Sequence, residues 1–507
     1  MRHASTSFSL ILALLLSALL SQPLLAQDDV KIELFDGGQL DATLHFRSAL
    51  LTGPGIQGAF TGFTAPVSPD PFIVFGNPAA LCQVRGNRVA VGFSPQLEAE
   101  ITDVQDPAPT VKQEVDAALE SFRRPSSITY PTITGRAGFA GAPVSGLAIV
   151  LHTDTTTGWF GSLPRLLDRF AIGYYRPLHL ESSLVFSGMR MRLKTLEEEP
   201  LVFYSSQKMN LDLSLIADSW AFSGARRFGN FSAGLGVTRT DIGIDYTGQQ
   251  RTDGIIKRGG REWAFNDPSD DWNNNYFNQS TSQLEGVSWG YRFGFTYNTA
   301  SEEKPNRGFL LGMDVRLQTQ AVMDGPLTFE LNNFKAMNLN AGEGEKKFDV
   351  NRIENSAQMN ETKEKSITAP EKVKINIPSA VSASVSWLGF PKPTLTCTKY
   401  FGELSYTADL LEEGVLFSYK RGFKTDWSAL VGVNLGSFYL AAGALQIVDL
   451  VEGYHDVSGV PIKAIEPTIL PRFSMGFDWA LDRNITLGTL IAGLPEDLIR
   501  FTLKMSF

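Results

Sequence analysis

Few residue groups in this 507-residue chain have the types and spacing that chemistry needs. Gly53-Pro54-Gly55-Ile56-Gln57-Gly58 carries the glycine spacing of a dinucleotide-binding loop, in which bare backbone approaches a pyrophosphate at a helix start. Pro54 interrupts it and no strand–helix pattern surrounds it, so these glycines read as turn residues. Ser205-x-x-Lys208 has the spacing of a serine nucleophile and its lysine, but none of the partner motifs follows. The histidines, His3, His45, His152, His179 and His455, are scattered and form no His-Glu-x-x-His zinc pair. A Ser–His hydrolase stays open at this point, because triad members need not be close in the chain. Cys82 and Cys397 are too few for a disulfide framework or a multi-cysteine zinc site. They could pair with each other only in an oxidising compartment. No catalytic residue, metal site or cofactor is therefore assigned. The net charge of −9 argues against a nucleic-acid partner, which needs a basic face.

The elements that would position any site follow from patterning. Arg2 and His3 precede an apolar run from Phe8 to Leu20, and Ala26 gives a small residue before Gln27. That is the charged start, apolar middle and small end of a secretory signal, expected over 1–26. Beyond it the dominant period is two. Val287, Trp289, Tyr291, Phe293, Phe295 and Tyr297 alternate with Ser288, Gly290, Arg292, Gly294 and Thr296. The same alternation runs through Phe309–Leu317, Val381–Trp387, Phe473–Trp479 and Ile499–Phe507. Such alternation means strands with one apolar and one polar face. A secreted β-sandwich also alternates, with its apolar face inward. Here the apolar faces are rich in large aromatics, and several strands reach the 9–11 residues of a tilted membrane strand. Since every backbone polar group must pair in lipid, such a sheet must close into a barrel. The near-neutral mean hydropathy of −0.06 fits, because only alternate strand residues face lipid. Phe231–Tyr246 changes phase near Arg239–Asp241, which suggests a bulge.

Trp427–Val448 lacks Asp, Glu, Lys and Arg over 22 residues, yet Gly436-Ser437 at its middle is a hairpin-turn signal. Two strands, Trp427–Leu435 and Phe438–Gln446, are expected rather than a helix. The polar stretches Gln249–Leu284 and Asn340–Lys374 are expected as external loops, since barrels keep short turns on the periplasmic side. Thr110–Phe122 has helical apolar spacing with Thr110 and Gln113 as a capping box, and reads as a short helix in another external loop. Residues 27–85 are punctuated by glycine and proline and read as loops that fold back as a plug ahead of a barrel over 86–507.

Within that segment Gly55-Ile-Gln-Gly58-Ala-Phe-Thr-Gly62, then Asp70, then Asn77-Pro78-Ala79-Ala80-Leu81 is similar to the hatch of the outer-membrane long-chain fatty-acid and aromatic-hydrocarbon transporters, the FadL type. Asn210–Ser214 with Phe231–Gly236, Trp289–Gly294 with Met313–Gly325, and Ile377–Ser379 resemble further segments of that family. Pro66–Pro71 and the charged stretch near 340–374 depart from its pattern. The chain ends on Phe507, which resembles the C-terminal signal read by the barrel-assembly machinery. The resemblance implies an all-β, transmembrane antiparallel barrel of about 14 strands with an N-terminal plug. It implies a monomer in the bacterial outer membrane, surrounded by outer-membrane lipid, carrying hydrophobic small molecules such as long-chain fatty acids, and no enzyme. Gly55, Gly58, Asn77, Pro78 and Ala79 would be the hatch motif. Phe60, Phe63, Phe72 and Phe75 would be ligand contacts or, equally, plug core. The alternatives are a barrel that docks exported proteins and a general diffusion porin.

Overall fold

In the computed structural model, fourteen strands follow one another around a closed antiparallel ring. The structure describes residues 30–36, 39–48, 70–102, 109–120, 134–140, 144–153, 166–195, 202–258, 260–265, 276–301, 306–332, 365–412, 415–454, 467–493 and 498–507. The expected signal over 1–26 lies outside them. The ring strands are β1 (Arg88–Phe93), β2 (Val144–His152), β3 (Arg169–Thr195), β4 (Val202–Phe228), β5 (Phe231–Arg258), β6 (Tyr276–Asn298) and β7 (Phe309–Gln318). They continue as β8 (Ser379–Trp387), β9 (Lys392–Phe401), β10 (Val415–Asn434), β11 (Phe438–Tyr454), β12 (Thr468–Ala480), β13 (Ile485–Gly493) and β14 (Leu498–Ser506). The ring closes where β14 pairs β1, from Phe501↔Phe93 to Ser506↔Arg88.

The sequence alternation is oriented by this ring. Trp289, Tyr291, Phe293, Phe295 and Tyr297 are exposed on its outside, while Arg292 and Thr296 between them are buried on its inside. In water that arrangement would be inverted, so the outer face is the lipid face. From Val287 to Tyr297 the apolar face spans roughly 24–26 Å of height at a 40–45° tilt, the height of a barrel's lipid band. Trp220 and Trp289 mark one edge of the band; Phe231, Tyr297 and Phe309 mark the other. On the latter rim the turns are tight: Gly229, at φ 60°, takes the left-handed conformation that the Phe228–Phe231 turn requires. Gly436, at φ 92°, turns β10 into β11, so Trp427–Val448 is a hairpin, as expected.

Toward the other rim the walls run on. At about 3.3 Å per residue and this tilt, a strand as long as β3, 27 residues, rises roughly 65 Å. Much of Gln249–Leu284 is therefore wall rather than loop: Gln249–Arg258 belongs to β5, Arg261–Phe265 is a strand paired with it, and Tyr276–Leu284 belongs to β6. Strands Ala321–Asn332, Lys365–Asn376 and Leu404–Glu412 extend β7, β8 and β9 in the same way, pairing with one another and with β6 and β10. The charges there decorate a tall cylinder. The remainder of 340–364 lies outside the described residues. Helix α1 (Pro109–Glu120) matches the expected helix to within two residues. It rests Val115 and Ala118 on Ile255 and Tyr204, with Asp116 held by Arg190 at 2.6 Å.

Two further readings change. Val30–Asp36 and Gln39–Ser48, expected as loop, are strands. Gln39–Ser48 stands in the wall between β3 and the strand Gln96–Thr102. Leu40, Ala42, Leu44 and Phe46 alternate with Asp41, Thr43, His45 and Arg47, a period of two that the surrounding glycines and prolines masked. No bulge interrupts Arg239–Asp241 either: β5 stays in continuous register with β4 and β6.

Candidate functional site

What changes at Arg239–Asp241 is which face is apolar. Below it β5 turns Phe231, Leu235 and Val237 outward and Ser232, Thr238 and Thr240 inward. Above it Arg239 and Asp241 face out, paired at 2.7 Å, and Ile242 and Ile244 face in. The neighbours follow suit. Asp218 faces out, held by Arg176 at 2.8 Å, with Ala217 facing in, and Leu284 lines the inside of β6. Met323 and Val373 continue the lining on the extensions of β7 and β8. Ala42, Leu184 and Leu211 carry it toward β3. So the wall turns polar outside where it leaves the lipid band, and its inside becomes an apolar band at that level.

Toward the short-turn rim the lumen holds residues 70–84. Two short 3-10 turns are started the same way: Asp70-Pro71 and Asn77-Pro78 place an oxygen-bearing cap before a proline, which needs no donor in the first turn. Asp70 Oδ1 accepts from Phe72 N at 2.9 Å, and Asn77 Oδ1 accepts from Ala79 N at 3.0 Å. Asn77 also reaches the wall, its Nδ2 donating to Phe295 O (3.2 Å) and Met313 O (3.1 Å) on β6 and β7. Ser223 Oγ donates to Val74 O at 3.0 Å, and Arg169 Nε to Val84 O at 3.2 Å.

The wall admits this segment through bare backbone. A Cβ on Gly173 would come within 2.6 Å of Phe75 Cε2, and one on Gly146 within 2.9 Å of Phe72 Cε1. On Gly234 it would lie 2.6 Å from Pro78 C and Ala79 N, and on Gly294 it would overlap Asn77 Oδ1. These inward glycines, of which the sequence alternation placed only Gly294 on a polar face, are the seats of the segment. The missed signal was their presence on the inner face of β2, β3, β5 and β6.

Phe72 and Phe75 are packed core. They join Val74, Leu81, Ala148 and Ala171 in one buried cluster, and Phe75 meets Tyr175 edge-on at 4.5 Å between centroids. Asn77, Pro78 and Ala79 are brought together at the wall contact. Gly55, Gly58, Phe60 and Phe63 lie outside the described residues. Phe507 N donates to Asn87 O at 3.2 Å, beside the closing seam. Burial lifts the Asp70 carboxyl above the ordinary carboxylate range, and pushes the Cys82 thiol to about 11. Cys82 and Cys397 are both free thiols. His179 lies between Gln96 (2.8 Å) and Glu181 (2.9 Å). Among the described residues no group of three or more His, Cys, Asp or Glu is placed to hold a metal.

No family model and no curated protein matches the sequence. Among solved structures the chain is similar to the toluene transporter TbuX of Ralstonia pickettii, at 10% identity and TM-score 0.40 over 90% of this chain and 99% of that one. It is similar to a FadL homologue of Pseudomonas aeruginosa, at 12% identity and TM-score 0.41 over 90% and 97%. The toluene transporter TodX of Pseudomonas putida aligns at 12% identity and TM-score 0.36, over 90% and 96%.

Proposed function

We propose that this chain is a bacterial outer-membrane channel that takes hydrophobic small molecules from outside, with residues 70–84 as part of the hatch that closes its lumen. The observation that carries this reading is the inversion at Arg239–Asp241. A water-filled general porin has a polar lumen. Here the inner wall turns apolar above the lipid band, across β4, β5, β6 and the extensions of β7 and β8. An apolar lining binds an apolar solute by removing area from water, at about 25 cal/mol per Å². The closely seated 70–84 segment supports a gated rather than an open lumen. Long-chain fatty acids and aromatic hydrocarbons are the solutes this reading puts first. The surrounding outer-membrane lipid, insertion by the barrel-assembly machinery through the Phe507 end, and a single barrel as the working unit complete it.

A photoreactive alkyl diazirine tests the reading on the intact protein. Labelling is expected at Ile242, Ile244, Leu284 and Met323, and excess unlabelled solute should suppress it. Labelling confined to the lipid-facing Phe293, Phe295 and Leu235 would remove the basis for the proposal.

A further inference from the structure

The short-turn rim, which is the periplasmic side of a barrel, concentrates positive charge where residues 70–84 leave the lumen. Arg88, Arg169 and Arg227 stand there on β1, β3 and β4, each two residues from Ala90, Ala171 and Ala225. Those alanines are fully buried on the inner face, in the same cluster as Phe72 and Phe75. By alternation the three arginines therefore point into the mouth of the lumen. Arg85 joins them from the end of the 70–84 segment, exposed beside Gly86, which turns the chain into β1 at φ 66°. Arg88 Nε donates to Arg85 O at 3.1 Å, and Arg169 Nε to Val84 O at 3.2 Å, so wall and segment hold the four cations together. At about 4.8 Å between neighbouring strands, β1 to β4 span roughly 15 Å of rim.

The side-chain hydrogen bonds of these arginines go to backbone. Besides the two just given, Arg169 Nη1 donates to Asp168 O at 3.1 Å and Arg227 Nε to Gly229 O at 3.0 Å. A carbonyl satisfies a donor but carries no net charge. Among the described residues at these ends of β1 to β4, the carboxylate is Asp168, which accepts from the Arg227 backbone N–H at 2.7 Å. Arg226, on the outer face over the Phe228 ring at 5.3 Å, is engaged there. Arg85, Arg88, Arg169 and Arg227 thus face one carboxylate, or two with a carboxylate at Phe507 beside Asn87. Either way cations are in excess, on a chain whose net charge is −9.

We infer that this patch is a docking site for an acidic segment of a periplasmic protein. A row of four cations along roughly 15 Å is too wide for one small anion, and matches about five residues of extended chain. The arginines that point into the mouth are turned away from lipid, unlike a head-group belt. Arginine is enriched at protein interfaces, and complementary charge steers the encounter. The inference uses the rim and not the solute, so it stands or falls apart from the transport reading.

Fluorescence anisotropy of fluorescein-labelled octaglutamate, with the full chain in phosphatidylcholine nanodiscs, tests it. Saturable binding is expected at 50 mM NaCl and about tenfold weaker binding at 500 mM, because charges at an exposed rim are screened by salt. Octalysine should not bind. Arg85→Gln/Arg227→Gln is expected to weaken octaglutamate about tenfold. Lys399→Gln/Lys424→Gln, which removes two exposed cations of β9 and β10, should leave it unchanged. The heat-dependent gel shift of a folded barrel checks each variant, and the salt and octalysine comparisons need none. Dihexanoylphosphatidylglycerol should displace the peptide only well above the peptide's own Kd; displacement below it would assign the patch to lipid and overturn the inference. So would the absence of saturable octaglutamate binding, or equal losses from the two double variants.

Discussion

Asn77 ties residues 70–84 to the wall. It caps its own turn and donates to two carbonyls on β6 and β7. Asn77→Ala removes all three bonds while leaving two wall carbonyls in place, a cost of about 1–3 kcal/mol in local docking. Cys82, in the same segment, reports it. With its thiol near 11, about one molecule in a thousand is thiolate at pH 8. Maleimide labelling should therefore be slow and should rise about tenfold per pH unit toward 11. In a Cys397→Ser background, Asn77→Ala is expected to speed labelling about tenfold or more, because local opening exposes the thiol. An unchanged rate would mean that Asn77 does not hold the segment. The glycine seats give the complementary test. Gly234→Val would meet the Pro78 and Ala79 backbone, which cannot move without lifting the turn. Planar-bilayer recordings are expected to show larger or more frequent openings for Gly234→Val than for wild type. Gly243, where a Cβ meets nothing, is the control position.

At the scale of the strand, β5 carries two chemistries in one register. Leu235, 62% exposed, faces lipid near the middle of the band, and Ile242 faces the lumen above it. Leu235→Arg should cost about 2–4 kcal/mol in urea unfolding from bilayers, as a cation moved to the lipid midplane does. Ile242→Arg avoids the lipid cost and should instead abolish alkyl-probe labelling of the inner band. Equal destabilisation by the two would mean that the faces are wrongly assigned. This strand also shows what was legible in sequence. The alternation in Val287–Tyr297 was readable because every second residue is a large apolar group facing lipid. The inversion was readable as a change of phase, but sequence offered a bulge as its cause. Only pairing with β4 and β6 shows that the backbone continues unchanged while inside and outside exchange chemistry. Gln39–Ser48 was missed because neighbouring punctuation outweighed a clean but short alternation. The Asn77-Pro78 cap was legible from residue type and position. Its partners on β6 and β7, more than 200 residues away, were not.

At the scale of the whole molecule, lipid-facing, lumenal and external chemistry are stacked along one axis. The outer surface is apolar only where lipid covers it. The lumen is polar at that level, holds residues 70–84 against bare wall backbone, and turns apolar where the walls rise out of the lipid. An acid-lined or uniformly wet lumen would suit free diffusion of polar solutes. This order suits capture of an apolar solute on the outside and its release past a closed segment. The central claim is thus that the apolar inner band is a station on a transport route. Initial uptake rates of radiolabelled oleate and toluene test it most directly, in cells lacking the endogenous protein and carrying either wild-type chain or Ile242→Arg at matched surface levels. The account predicts uptake of at least one solute with wild type, and a fall to the background rate with Ile242→Arg. Equal uptake by the two, or background uptake of both solutes with wild type, would contradict it.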